Sequence, residues 1–162
     1  MTIRKAQQED YEAIWEVFSA VIKTGDTYVF DPATPYLGLQ KYWLAEGIDT
    51  FVAIDNEQVV GTYFIKPNQI DLGNHIANCG YMVHPRHHGK GIGRSLCEHS
   101  IAFAKEKNYV GIQFNIVVST NTVAVRLWQK CGFQIIGTTP KGFRHQTLGL
   151  VDTYIMYKSL ID

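Results

Sequence analysis

Residues Asn78-Cys-Gly-Tyr-Met-Val-His-Pro-Arg-His-His-Gly-Lys-Gly-Ile-Gly-Arg94 set an apolar strand signal before a glycine-punctuated loop and a helix signal near Gly91. Glycines 89, 91 and 93 leave the main chain bare where the strand hands over to the helix. A helix N-terminus offers unpaired N–H groups and the positive end of its dipole, so such a loop is suited to hold a phosphate. Arg86, Lys90 and Arg94 add cationic side chains around it. The chemistry this points to is a pyrophosphate site made mainly of main-chain amides. The spacing is not that of a P-loop, since no Gly-Lys-Ser/Thr closes it. Nor is it the dinucleotide fingerprint, because the glycines alternate and no third one follows at the required step. Taken alone, a glycine turn that caps a helix explains the stretch equally well.

The elements that must position this loop follow from the hydrophobic period. Thr2–Ala6 reads as a short strand, and Tyr11, Ile14, Trp15, Phe18 and Ile22 recur at helical spacing in a helix that ends before Gly25. Residues 25–35 form an aromatic-rich loop, suited to face a substrate as loops often do. Tyr36–Glu46 reads as a second helix. Phe51–Ile54 and Val59–Ile65 form a hairpin about Asp55-Asn56-Glu57, residues 67–74 a polar connection, and Ile76–Val83 the strand entering the loop. Gly91 to about Lys107 is a long amphipathic helix. Gly111–Val118 is a strand, and Ser119-Thr120-Asn121 caps a helix that stops at Cys131-Gly132. Phe133–Thr138 and Asp152–Lys158 are the closing strands, with Lys141–Gly149 a loop between them. The order β-α-α-β-β-β-α-β-α-β-β predicts helices around one mixed sheet, in a single domain over 1–162.

Composition removes several classes of function. Lys plus Arg number 15 and Asp plus Glu number 15, so the formal charge is zero and the basic excess of a nucleic-acid binder is missing. No run reaches membrane-spanning length, and Met-Thr-Ile-Arg-Lys-Ala holds no apolar signal core. Cys79, Cys97 and Cys131 are far apart and odd in number, which fits reduced thiols in a cytoplasmic protein. Histidines 84, 87 and 88 have no further ligand at zinc-like spacing, so no metal is expected.

Two segments together resemble a known family. His-Gly-Lys-Gly-Ile-Gly at 88–93, after Tyr-Met-Val-His-Pro, is similar to the acetyl-CoA loop of the GNAT N-acetyltransferases. Asn121-x-x-Ala124-x-x-Leu127-Trp128-x-x-x-Gly132-Phe133 is similar to that family's second motif, in the right order and separation. The tail from Gly137 resembles the branch that acetylates proline analogues such as azetidine-2-carboxylate, near the phosphinothricin and methionine-sulfoximine acetyltransferases. The resemblance implies a mostly antiparallel mixed sheet, splayed between its two central parallel strands to admit the pantetheine arm of acetyl-CoA.

It also implies residue roles. Tyr81, Met82 and Val83 would pair with the arm, the amides of Gly89, Lys90, Gly91, Ile92 and Gly93 would hold the pyrophosphate, and Arg94 would stand beside them. His88 occupies a place usually held by Gln or Arg and donates to phosphate when protonated. The amine acceptor needs a polarised thioester carbonyl, expected from an N–H freed by a bulge near Met82. Trp128 stands where many relatives carry an acidic Tyr, and an indole N–H is a donor only, so it is expected to pack against the arm. Asn78 stands where the phosphinothricin relatives have Glu. In the proline-analogue branch it would hold the substrate's polar end, a carboxylate, while Asn115 and Asn121 orient the thioester and pantetheine. Tyr28, Phe30, Tyr36 and Arg144 are candidates for the acceptor pocket. Positioning and polarisation, with water carrying protons, is the expected mechanism. The expected acceptor is a small-molecule amine, such as an amino acid. A protein lysine or N-terminus, and a non-catalytic acyl-CoA sensor, stand as alternatives, and a homodimer is consistent with the family.

Overall fold

The computed structural model describes residues 1–162, and their strands form one seven-stranded sheet. Strand β1 is Thr2–Lys5, followed by helix α1 at Tyr11–Ile22 and helix α2 at Tyr36–Tyr42. The meander β2 (Asp49–Asp55), β3 (Gln58–Pro67) and β4 (Ile76–Val83) comes next. Helix α3 (Ile92–Glu106), β5 (Gly111–Val118), helix α4 (Thr122–Lys130), β6 (Gln134–His145) and β7 (Gly149–Ser159) complete the order. Across the sheet the strands run β1-β2-β3-β4-β5-β7-β6, and only β4 and β5 are parallel neighbours. The mixed, mostly antiparallel sheet expected from the sequence is the one formed.

Both faces of the central strands are covered, which is why β3 reads as a nearly unbroken apolar run. On one face Ile92, Leu96, Cys97 and Ala104 of α3 pack against Tyr63, Tyr81 and Ile112. On the other, Ile14, Phe18 and Ile22 of α1 with Leu39 of α2 pack against Val52, Phe64 and Met82. Gly80 keeps β4 close to β3, since a Cβ there would lie 2.5 Å from the Phe64 ring. The turn between β2 and β3 is two residues, Asn56 and Glu57, both at positive φ as the twist of a tight hairpin favours.

Two elements differ from expectation. Helix α2 stops at Tyr42 rather than Glu46, because Trp43 turns into the core. Its indole N–H donates to the Thr62 hydroxyl at 3.1 Å and its carbonyl accepts from the Thr50 hydroxyl at 2.6 Å. Of the loop expected over 141–149 only residues 146–148 form a turn, because β6 continues to His145 and β7 begins at Gly149. Pro140 and Gly142 read as turn residues, yet β6 is an edge strand, where a missing N–H is tolerated. The irregularity is a bulge between Thr139 and Phe143, with Lys141 at positive φ and its N–H closed by the Asp152 carboxylate at 2.9 Å.

The start of α1 is tied to β1 by a buried carboxylate. Asp10 accepts both Arg4 guanidinium nitrogens at 2.7 and 2.9 Å and the Gln7 amide at 2.8 Å. The Arg4 contact, and then the Gln7 amide, hold the Asp10 carboxyl below the usual carboxylate range despite burial. A depressed folded value stabilises the fold above the unfolded carboxylate range, and that stabilisation is lost as pH falls through the folded value. Asp10→Asn is therefore expected to cost about 1.5 kcal/mol at pH 7. This is the low end for a charged contact, because the Arg4 side chain stays 40% exposed. Thermal melts should show that difference shrinking below about pH 4.

Candidate active site

The parallel pair β4 and β5 is joined by main-chain pairing only at Ile76–Gly111 and Ala77–Ile112. Beyond Ala77 the two strands diverge, leaving one edge of β4 without a strand partner. Which groups face this gap follows from alternation. The Ile76 carbonyl accepts from Asn68 and the His84 N–H donates to Val60, both toward β3, so even positions of β4 face β3. Tyr81 faces the gap, and a side chain meets it there. Its N–H donates to the Tyr28 hydroxyl at 2.7 Å, and that hydroxyl donates to the Tyr81 carbonyl at 2.5 Å.

This corrects the expectation at Met82. Pairing of β3 with β4 is unbroken from Gly61–Val83 to Pro67–Ala77, and the Met82 amide faces Thr62. No bulge is present to release it. The gap-facing donor is the Tyr81 amide, one residue earlier. The Met82 side chain is buried against the α1–α2 layer.

A cavity of about 750 Å³ opens on the gap. Tyr81, Met82 and Val83 form one wall, and His88, Gly89, Gly91, Ile92, Gly93 and Arg94 close one end. Gly91 is the residue before α3, at φ +77°, a left-handed conformation that disfavours a side chain. No side chain caps this helix and its first turn holds no acid, so its first N–H groups remain open to an anion. Gly93 serves packing instead, since a Cβ there would lie 3.2 Å from Leu127. The loop residue Lys90 stands off the cavity wall, its Nζ 3.5 Å from His87 Nδ1. His88 donates from Nε2 to the Val83 carbonyl at 3.1 Å, which directs the ring to the strand edge rather than to a phosphate.

Helix α4 supplies the opposite wall. Trp128 packs with its ring centroid 4.8 Å from Tyr81 and 5.2 Å from Phe114. Asn121 caps the helix, its Oδ1 accepting from the Ala124 N–H at 3.3 Å. The same side chain donates from Nδ2 to Thr27 at 3.2 Å, tying the 25–35 segment to α4. Sequence reading missed Arg126 and Lys130, two cations on this wall. Their signal was available, because Thr122, Arg126 and Lys130 repeat every four residues on one helical stripe.

The acceptor candidates separate. Tyr28 lines the cavity, whereas Phe30, Tyr36, Arg144, Asn78 and Asn115 do not. Phe30 lies between Tyr28 and Phe18, with centroids 5.9 and 5.2 Å away, and Tyr36 packs edge-on against Trp15 at 5.7 Å. Phe143 is buried, and strand alternation turns Arg144 to the other face and brings His145 to the cavity. Asn78 donates from Nδ2 to the Gln113 carbonyl at 3.0 Å, bridging the diverging strands. Asn115 is exposed, at the break in β5–β7 register, donating to Asn68 at 2.8 Å and accepting from Gln113 at 3.1 Å. Asn115 was expected to orient the thioester, but the register break turns it to solvent.

The titratable groups narrow the chemistry. Burial pushes the Cys79 thiol up to about 12, which leaves it a poor nucleophile. His145 Nδ1 accepts from the Thr147 and Leu148 N–H groups at 3.1 and 3.2 Å. In the neutral ring Nε2 then carries the proton and acts as a donor. Asp26 is the acid on the cavity wall, sharing a hydrogen bond with Thr24. Asn121→Ala should lower stability by about 1 kcal/mol, the usual worth of a helix cap. Asn121→Ser should restore that stability while leaving Thr27 untethered, which thermal melts and proteolysis of the 25–35 segment would resolve.

Comparison with known proteins agrees with this geometry. The model of the acetyltransferase (GNAT) family matches residues 4–133. N-acetyltransferase aca1 of Schizosaccharomyces pombe is 37% identical over 100 residues, 60% of this chain and 47% of that protein, so the match spans about half of that relative. L-amino acid N-acetyltransferase AaaT of Escherichia coli is 27% identical over 157 residues, 96% of each chain. The solved GCN5-related N-acetyltransferase of Kribbella flavida is 37% identical with a TM-score of 0.93, covering 98% of this chain and 96% of its own. The solved yncA of Salmonella typhimurium, with its cofactor acetyl-CoA, is 24% identical with a TM-score of 0.88, covering 100% of this chain and 95% of its own. From β1 through α4, and in the parallel pair that opens at its centre, the chain belongs to the GNAT family and is an N-acetyltransferase.

Proposed function

We propose that the protein transfers the acetyl group of acetyl-CoA to the amine of a small acceptor bearing a carboxylate, an amino acid or an analogue of one. The carrying observation is one continuous cavity that runs from the amide-rich start of α3, along the free edge of β4, to Tyr28 and His145. The amides from Gly89 to Gly93 hold the pyrophosphate, and Arg94, Arg126 and Lys130 supply positive charge. The pantetheine arm lies along Tyr81 and Val83, with Trp128 against it. The acetyl-CoA of the Salmonella relative supports this reading, and the full-length match to an L-amino acid N-acetyltransferase supports the acceptor class.

Acetyl-CoA supplies the activated acyl thioester, and the chain's residues supply place and polarity. The Tyr81 amide faces the reacting carbonyl. Asn78 and Asn115 lie off the cavity with their amides engaged on neighbouring groups, so donors to the acceptor's carboxylate come from the cavity wall itself. His145 Nε2–H adds a donor on the cavity wall. With Cys79 held protonated, attack by the acceptor amine is direct and no acyl-thiol intermediate on the protein is needed. Water carries the ammonium proton away. The free thiols fit a reducing, cytoplasmic setting.

The test is thiol release from acetyl-CoA with amino acids, azetidine-2-carboxylate, phosphinothricin and a lysine peptide as acceptors. Turnover on a free amino acid, with acceptor KM raised about tenfold or more in His145→Ala, is the expected result for a lost carboxylate contact. Turnover on the peptide alone contradicts the acceptor class. Asp26→Asn should lower kcat less than about tenfold, because a true general base contributes about 10²–10⁴. Loss of one limb of the pH–rate profile in that variant would make Asp26 the base and overturn catalysis by positioning.

A further inference from the structure

The open edge of β4 is not bare. Its gap-facing polar groups are occupied at two successive positions by side chains from elsewhere. His88 Nε2 holds the Val83 carbonyl at 3.1 Å, and the Tyr28 hydroxyl holds both the N–H and the carbonyl of Tyr81. Val83 lies nearer the glycine loop and Tyr81 lies deeper. An acyl-bearing arm that enters from the loop therefore meets Val83 first and reaches Tyr81 with its thioester end.

At that end a phenolic oxygen already sits 2.7 Å from the Tyr81 amide nitrogen. This is the place an oxygen must occupy to be polarised by that amide. The phenol cannot drift far from it. Its ring stacks on Phe30 with an interplanar angle of 14° and meets Trp43 edge-on at 6.1 Å. Thr27, its neighbour in sequence, is tethered by Asn121. The residue is half-buried, with its hydroxyl at the enclosed end. Desolvation there raises its pKa far above the ordinary phenol value, so the group keeps its proton and remains a donor at any working pH.

We propose that Tyr28 is a catalytic residue, its hydroxyl acting beside the Tyr81 amide as the second donor to the thioester carbonyl oxygen. This rests on the reading that acetyl-CoA lies along β4. On loading, the Tyr28 oxygen moves aside by about one hydrogen-bond length, ~2.7 Å, the carbonyl oxygen takes its place on the Tyr81 N–H, and the Tyr28 O–H turns to that oxygen. The acceptor nitrogen then bonds to the carbonyl carbon while the carbonyl π pair moves onto the oxygen held by the two donors. When that pair returns, the carbon–sulfur bond breaks and the sulfur leaves with its electrons. The ammonium proton passes through water to the thiolate, and the Tyr28 proton stays where it is. The phenol thus compensates for the acidic Tyr missing from α4 by stabilising charge rather than by donating a proton.

The test needs no acceptor. Acetyl-CoA labelled with ¹³C at the thioester carbonyl is bound to the protein, and the carbonyl stretch is read by infrared difference spectroscopy. Two donors lower that frequency, so Tyr28→Phe should move the band to higher wavenumber. With a competent acceptor, kcat should fall about 10²-fold, the usual effect of losing one such donor, with acceptor KM unchanged. Incorporating 3-fluorotyrosine in place of Tyr28 keeps the shape and strengthens the donor, and should move the band the other way. An unmoved band in both variants, or an unchanged kcat in Tyr28→Phe, overturns the proposal. Failure of acetyl-CoA to bind the unaltered protein overturns instead the reading of the site on which it rests.

Discussion

Everything at the site depends on the parting of β4 from β5. Two rungs of parallel pairing hold the strands at Ala77 and Ile112, and past them the sheet is open. An open edge inside a folded core exposes main-chain donors and acceptors that are costly to leave unmet. The protein meets this cost locally, with Asn78 on the Gln113 carbonyl, Tyr28 on Tyr81 and His88 on the Val83 carbonyl. Each of these side chains holds a polar group that a neighbouring strand would otherwise have paired. A ligand with amides of its own can take over those positions, which is how a structural defect becomes a binding edge.

The remaining architecture keeps that edge rigid and reachable. Aromatic and aliphatic packing on both faces of β3 and β4 fixes the strand, with Phe51 stacked on Tyr63 at 4.8 Å and Trp43 against Phe64 at 4.7 Å. Helix α3 leaves the edge through left-handed Gly91 and so aims its first amides along it. On the far side, Asn121 and the bond from the Gln146 N–H to the Gly25 carbonyl draw α4 and the β6–β7 turn toward the 25–35 segment. The cavity is therefore bounded by elements far apart in sequence and held together by a few polar ties.

Local signals carried most of what could be read beforehand. The strand, glycine loop and helix from Asn78 to Arg94 are contiguous, and the N-cap at Asn121 is decided by its own residues. The errors arose where tertiary register decides. A bulge at Met82 was expected, but regular pairing with β3 shifts the free donor to Tyr81. Asn115 was expected to orient the thioester, but broken pairing with β7 exposes it. Arg144 was expected at the pocket, but strand continuation through 141–145 puts His145 there. The aromatic segment 25–35 was legible as a loop, yet Tyr28's attachment to Tyr81, 53 residues away, has no local signature.

The central claim is that the β4 edge and the start of α3 form one binding surface for acetyl-CoA. Amide hydrogen exchange with and without acetyl-CoA tests it most directly. Slowed exchange at Val83, Gly91, Ile92 and Gly93, with the α1–α2 face unchanged, is the result this account predicts. Protection confined to another face of the sheet, or none on addition of saturating acetyl-CoA, would contradict it.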